Sequence, residues 1–74
     1  MRSPRHEVLR QILIERRQRR GLSQTEVARR LGRSQTFVSA VERGQRRVTV
    51  IEFLEMCEAI GFDPHTVIRR LLKS

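Results

Sequence analysis

The sequence predicts an all-α protein, a compact bundle of five short helices. Three observations lead there. Aliphatic residues recur every three or four positions, and no stretch alternates apolar and polar residues as a half-buried strand would. Each apolar run starts at a Ser, Thr or Asp suited to cap a helix, and four of the five stop at a Gly. The connections are short, as in a closely packed helical domain. A chain of 74 residues is expected to form one domain, 1–74, with a small core and no separate effector domain.

The first helix is expected to begin at Ser3-Pro4, with Ser as N-cap and Pro in the first turn, where its missing N–H is not needed. Val8, Leu9, Ile12 and Leu13 form its inner stripe. It ends in RRQRRG, where basic side chains meet the negative end of the helix dipole and Gly21 stops the chain. The second helix starts at Ser23, which with Glu26 spells a capping box. Val27, Ala28 and Leu31 face inward and Gly32 ends it. The third takes Ser34 as cap, turns Val38 and Val41 inward and closes at Gly44. The fourth starts at Thr49, paired with Glu52 in a second capping box. Its expected stripe is Val50, Phe53, Leu54, Cys57 and Ile60, with Glu52, Glu55 and Glu58 on a solvated opposite face. Asp63-Pro64 opens the fifth helix, about 64–72, which carries Val67, Ile68, Leu71 and Leu72.

Charge is placed unevenly. Residues 1–47 hold thirteen Arg against four Glu, and residues 48–74 hold three basic residues against four acidic ones. A basic segment of this density suits a polyanion. Arg, which supplies fifteen of the sixteen basic residues, presents two parallel donors to a phosphate or a guanine edge. Cys57 stands alone, so no disulfide within the chain is possible. It reads as a core residue of a protein in a reducing, cytoplasmic setting. No run reaches membrane-spanning length, and Arg2 and Arg5 precede no apolar leader segment.

The segment 23–43 has the spacing of a helix-turn-helix unit. Counting from Gln24, Val27 is fourth, Ala28 fifth, Leu31 eighth, Gly32 ninth, Val38 fifteenth and Val41 eighteenth. Ala28 falls where two helices cross and a larger side chain would push them apart. Gly32 must take the left-handed conformation of the turn. With Val27, Leu31, Val38 and Val41 in the seam, Gln35, Thr36, Ser39 and Ala40 face solvent. Amide and hydroxyl side chains there suit a helix whose N-terminus enters a major groove: Gln pairs with adenine, and Thr can bond a base or meet a thymine methyl.

The stretch GLSQTEVARRLGRSQTFVSAVERGQRR, followed by VIEFLEMCEAIGFDP, resembles the lambda-repressor and Cro type of helix-turn-helix, the xenobiotic-response-element family. The resemblance covers about residues 8–64 and rests on the joint match of Arg17, Leu22, Gln24, Ala28, Gly32, Val38, Glu42 and Gly44. It implies a five-helix domain that binds double-stranded DNA as a homodimer and reads its operator with the third helix. The matching positions are Gln35, Thr36 and Ser39 for base readout. Gln24 and Ser34, with Arg33, Arg43, Arg46 and Arg47, are expected at the DNA backbone or as buttresses. In relatives a first Gln buttresses a second, here Gln24 and Gln35. The resemblance also implies a structural ion pair, Arg17 with Glu42, tying the first helix to the end of the third. Arg33 departs from the usual apolar residue, and Arg16 stands where many relatives have an apolar or small one.

Val67, Ile68, Leu71 and Leu72 span an arc wider than one neighbouring helix covers, so the fifth helix is the expected dimer interface. Phe37 lies between the buried and exposed faces, where packing against the turn or the basic loop is favoured over contact with a sugar or base. No His/Cys cluster has metal-ligand spacing, and no nucleophile with its base, paired carboxylates or phosphate loop can be assembled. A binding role without metal, cofactor or small-molecule ligand is therefore expected. The principal alternative is a protein-interaction module, such as an antitoxin or adaptor, built on the same fold. RNA binding is less favoured, for lack of an aromatic stacking platform.

Overall fold

The computed structural model describes residues 4–74 and contains five helices: α1 (Pro4–Arg19), α2 (Gln24–Leu31), α3 (Gln35–Glu42), α4 (Val50–Ile60) and α5 (Pro64–Leu72). The expected cap Ser3 lies outside the described residues. Both capping boxes form. Ser23 Oγ accepts from the Glu26 N–H at 3.0 Å while Glu26 accepts from the Ser23 N–H at 3.1 Å. Thr49 and Glu52 exchange the same pair of bonds at 3.0 and 2.9 Å. Asp63 caps α5 through the His65 N–H at 2.9 Å. Ser34 occupies the N-cap of α3 with extended backbone, but its side chain makes no capping bond, contrary to the sequence expectation. The third residue of α3 is Phe37, so no reciprocal carboxylate completes a box there.

Helices of eight residues do not persist alone in water, so α2 and α3 depend on their packing. They pack on each other, α2 also on α4, and α1 on both α3 and α5. Gly32 joins α2 to α3 with φ 70°, a conformation that costs a residue with a Cβ about 1–2 kcal/mol. The turn is closed by the Arg33 N–H bonded to the Ala28 carbonyl at 2.9 Å. Ala28, buried at the crossing, lies in one core cluster with Leu13, Val27, Phe37, Val38, Val41, Met56 and Ile60. A second cluster joins Ile12, Phe53, Cys57 and Val67, and Leu9, Val48 and Phe62 pack against both. Burial pushes the Cys57 thiol up to about 11, so it stays protonated near neutral pH.

Three expectations are corrected. The buried stripe of α4 is Phe53, Met56, Cys57 and Ile60: Met56 is 1% exposed, whereas Val50 is 75% exposed and Leu54 also reaches the surface. Both stripes obey a helical period, and the end of α4 that packs on α2 selects the one containing Met56. Glu52 is buried rather than solvated, because Arg33, Arg46 and the Thr49 N–H surround its carboxylate; Glu55 and Glu58 are exposed as expected. Val67 is 1% exposed and closes the second cluster, so it does not belong to an association surface. Leu71 is half-buried, while Ile68 and Leu72 remain exposed.

Several arginines serve the fold. Arg20 donates to the Gly61 carbonyl and Arg30 to the Ala59 carbonyl, the latter at 2.8 Å. Both bonds satisfy acceptors at the C-terminus of α4, where the helix itself offers no donor. Gly61, at φ 92°, brings its backbone close to Arg20: a Cβ there would stand 3.4 Å from the guanidinium carbon. Arg16 lies over the Phe62 ring, 5.5 Å from its centroid, which gives the unusual Arg on the inner side of α1 a packing partner.

Candidate nucleic-acid interface

Glu42, at the end of α3, is the acid around which the site is built. Its side chain is 7% exposed. Arg17 of α1 donates from Nε to Oε2 at 2.6 Å and from Nη2 to Oε1 at 2.9 Å, a bidentate pair. Its remaining Nη1 bonds the Leu22 carbonyl at 2.9 Å, which fixes the loop between α1 and α2. Arg10 reaches the Glu42 backbone carbonyl as well. The structure thus brings Arg17 and Glu42 together and uses them to lock α1 onto α3.

The bonding continues toward the surface. Gln24 Nε2 donates to Glu42 Oε1 at 2.9 Å, and Gln35 Nε2 donates to Gln24 Oε1 at 2.7 Å. The direction follows from the chemistry. An ionised carboxylate only accepts, so the Gln24 amide must turn its NH₂ inward and its oxygen outward. That oxygen then takes one N–H of Gln35. The second N–H and Oε1 of Gln35 remain, one donor and one acceptor side by side on an exposed helix. This is the pair an adenine edge requires in the major groove.

Thr36 is exposed beside Gln35, and Ser39 is half-buried one turn on. Ser34 is exposed and its side chain makes no cap bond, so the N–H groups of Gln35 and Thr36 meet no acceptor among the described residues. Free amides at a helix N-terminus suit an anion. Arg43 and Arg47, just past α3, are exposed and tied to no carboxylate among the described residues. Arg33 and Arg46 are placed differently. Arg46 hydrogen-bonds both oxygens of Glu52 at 2.9 Å, Arg33 forms an ion pair with it at 2.9 Å, and each guanidinium lies over the Phe37 ring. Phe37 is buried, so it packs rather than facing outward. The Glu52 tie was not foreseen; its only sequence signal was the capping box, which placed one oxygen and said nothing of the other. The Arg46 guanidinium, with the Thr49 N–H, holds the Glu52 carboxyl down at about 2. Among the described residues no three His, Cys, Asp or Glu side chains could hold a metal ion, and no helix is long and apolar enough to cross a membrane.

Two short helices at a glycine turn, with a polar outer face on the second and a third element locking it from behind, define a helix-turn-helix domain. The chain belongs to the helix-turn-helix family of the lambda-repressor and Cro type. The family's helix-turn-helix domain profile matches residues 8–71. An XRE-family like protein from Pseudomonas syringae pv. tomato is 43% identical, with a TM-score of 0.89 over 93% of this chain and 84% of that one. An uncharacterized HTH-type transcriptional regulator, y4dJ of Sinorhizobium fredii, is 47% identical over 45 residues, 61% of this chain. That match spans 58% of the relative's length. The fold is shared at 18% identity, with a TM-score of 0.86 over 97% of this chain and 95% of the other, by the restriction-modification controller protein C.Esp1396I. Its tetramer was solved in complex with its natural 35 base-pair operator.

Two outcomes follow from the two buried acids. Glu42→Ala leaves Arg17 and Gln24 without their acceptor and should cost about 3 kcal/mol of folding stability. Urea unfolding measures it, and a midpoint like that of an exposed-surface variant would refute the assigned role. Glu52 titrates at about 2 when folded, below its ordinary value of 4.5. Its stabilising contribution is therefore complete above 4.5 and lost as pH falls toward 2. Thermal midpoints should drop across that window, and less steeply in Glu52→Gln; parallel curves for the two proteins would exclude the contribution.

Proposed function

We propose that this chain is a sequence-specific regulator of transcription that binds double-stranded DNA, acts as a repressor or autoregulator, and reads the major groove with α3. The relay from Arg17 through Glu42 and Gln24 to Gln35 carries this reading. It presents a fixed donor–acceptor pair at the exposed start of a helix, with Arg43 and Arg47, which meet no carboxylate among the described residues, just past the helix end. A catalytic centre has no need of such an arrangement, and a base edge does. Gln35, Thr36 and Ser39 are assigned to base readout. Ser34 and the amides it leaves open, with Arg43 and Arg47, are assigned to the phosphate backbone, and Gln24 is the buttress. Arg33 and Arg46 reach the backbone only as members of the Glu52 cluster. On this reading residues 1–74 form one domain, with 23–43 as the unit that meets DNA. A protein that works on chromosomal operators is placed in the cytoplasm, as a binding protein and not an enzyme.

The proposed form is a homodimer. Val50, Ile51 and Leu54 of α4 and Ile68 and Leu72 of α5 are large apolar side chains left at the surface. Beside them lies an apolar groove of about 240 Å³ whose walls include Val50, Phe53, Ile68 and Leu71. Exposed apolar surface of this extent supports association. The interface thus includes Val50 and Leu54, which the sequence places in the core, Ile51 beside them, and Ile68, Leu71 and Leu72 of α5 without Val67. A two-fold pair would set two α3 helices about 34 Å apart, one turn of DNA. The same face favours the second reading, a module that grips a different protein such as a toxin, and the state of the isolated protein separates the two.

Selection from a random duplex library should yield a pseudo-palindromic site. With on the order of 4–6 phosphate contacts per protomer, affinity for it should fall by orders of magnitude over a few-fold rise in salt. Gln35→Ala should cost about 1–3 kcal/mol on that site and flatten discrimination at one base pair, while Arg47→Gln weakens all sequences alike. Equal behaviour of the two variants on selected and random DNA would remove α3 from the readout. In sedimentation the wild type should be a dimer at micromolar concentration. Ile51→Glu or Leu72→Glu should be monomeric, with an unfolding midpoint that no longer rises with protein concentration; a variant that still dimerises would rule out this interface.

A further inference from the structure

The turn before α3, the loop after it and the start of α4 meet in one cluster. Arg33 comes from the turn, Arg46 from the loop, Phe37 from the first turn of α3 and Glu52 from the first turn of α4. The guanidinium carbons of Arg33 and Arg46 stand 4.2 and 4.6 Å from the Phe37 ring centroid. Arg33 forms an ion pair with Glu52 Oε2 at 2.9 Å, and Arg46 donates hydrogen bonds to both Oε2 and Oε1 at 2.9 Å. Glu52 Oε1 also accepts the Thr49 N–H. The capping box of α4 is complete without either arginine, so helix capping does not explain the tie. Two guanidinium groups on one ring repel each other. The ring face attracts both, and the single carboxylate supplies the opposite charge that holds them. Two cations and one anion leave the cluster with a net charge of +1. Both arginine side chains are still 40–41% exposed, beside the helix assigned to the groove.

We propose that Glu52 is a positioning residue for sequence discrimination: it clamps Arg33 and Arg46 on Phe37 and withholds one of their two charges from the phosphate backbone. The inference rests on the DNA-binding reading above. Affinity for random DNA counts cations, wherever they point. Affinity for an operator also counts donors already held where its phosphates lie, because side chains fixed in advance lose less rotamer entropy on binding. A clamp that neutralises one charge and fixes both donors therefore lowers non-specific binding more than specific binding. Its effect is a larger ratio between the two.

Glu52→Gln keeps the length of the side chain and an oxygen for the Thr49 N–H, and removes the charge. Asp63→Asn makes the same change in net charge at the far end of α4, where Asn also serves as a cap. Circular dichroism establishes that each variant is folded. In Glu52→Gln the log–log salt slope on random duplex should steepen by about 0.9, which is roughly a five- to tenfold gain in affinity at about 0.1 M salt. The selected site should gain less, so discrimination falls. Asp63→Asn should leave slope and ratio as in the wild type. Phe37→Leu retains an apolar core residue but removes the platform; its slope should be unchanged and its discrimination reduced. Equal shifts in Glu52→Gln and Asp63→Asn would make the effect one of net charge and overturn the proposal. So would an unchanged ratio in Phe37→Leu, which decides the matter even where Glu52→Gln does not fold. A wild type with no affinity for any duplex would overturn the DNA-binding reading and this inference together. Normal operator binding with an unaltered ratio in both variants would overturn this inference alone.

Discussion

Burying one carboxylate in a chain of net charge +8 sets the conditions under which everything around α3 is arranged. Glu42 lies at the end of an eight-residue helix that cannot hold itself together in isolation. A buried acid must be matched donor for oxygen, and Glu42 is matched from two directions, by a guanidinium from α1 and an amide from α2. The ends of three helices therefore share one acceptor. Because that acceptor cannot donate, the order of donors and acceptors beyond it is fixed, and the fixed order reaches the surface at Gln35. A requirement of folding and a requirement of recognition are met by the same bonds.

The charge distribution takes on a different meaning once the partners of each arginine are known. Thirteen arginines in the first 47 residues look like a polyanion-binding surface. Arg17 is spent on Glu42, Arg10 on a backbone carbonyl of α3, and Arg20 and Arg30 on the C-terminus of α4. Arg33 and Arg46 share Glu52. Much of the positive charge thus holds helices to one another, a task that hydrophobic burial alone would leave weak in a core this small. Of the other exposed arginines, Arg43 and Arg47 lie where the chain leaves α3, and Arg5, Arg19 and Arg29 lie on α1 and α2.

Helix positions were legible because their signals are local. Two capping boxes and the glycine stops lie within a few residues of the boundaries they set. The helix-turn-helix seam was legible because its spacing is fixed by one crossing. The face of α4 was not. Val50, Ile51, Phe53, Leu54, Met56 and Cys57 put apolar residues almost all round the helix, so periodicity admits two stripes, and only contact with α2 and α5 chooses between them. Glu52 was misplaced for the same reason. Its neighbours Arg33 and Arg46 come from outside α4, and a capping signal carries no information about them. The amide at Gln35 was readable as residue type, while its orientation needed the buried acid eighteen positions after Gln24.

The core is divided, and the division separates two kinds of motion. The helix-turn-helix seam lies in one cluster, and α5 is anchored through Val67 in the other. Opening of α5 would expose the second cluster first, and the crossing of α2 and α3 would feel it only through Leu9, Val48 and Phe62, which pack against both clusters. The apolar face proposed for association includes α5. A second copy bound there would favour the closed helix by mass action, so the order of the C-terminal helix would rise with protein concentration. Hydrogen exchange at α5 would then report on assembly, while exchange at α3 would report on the global fold.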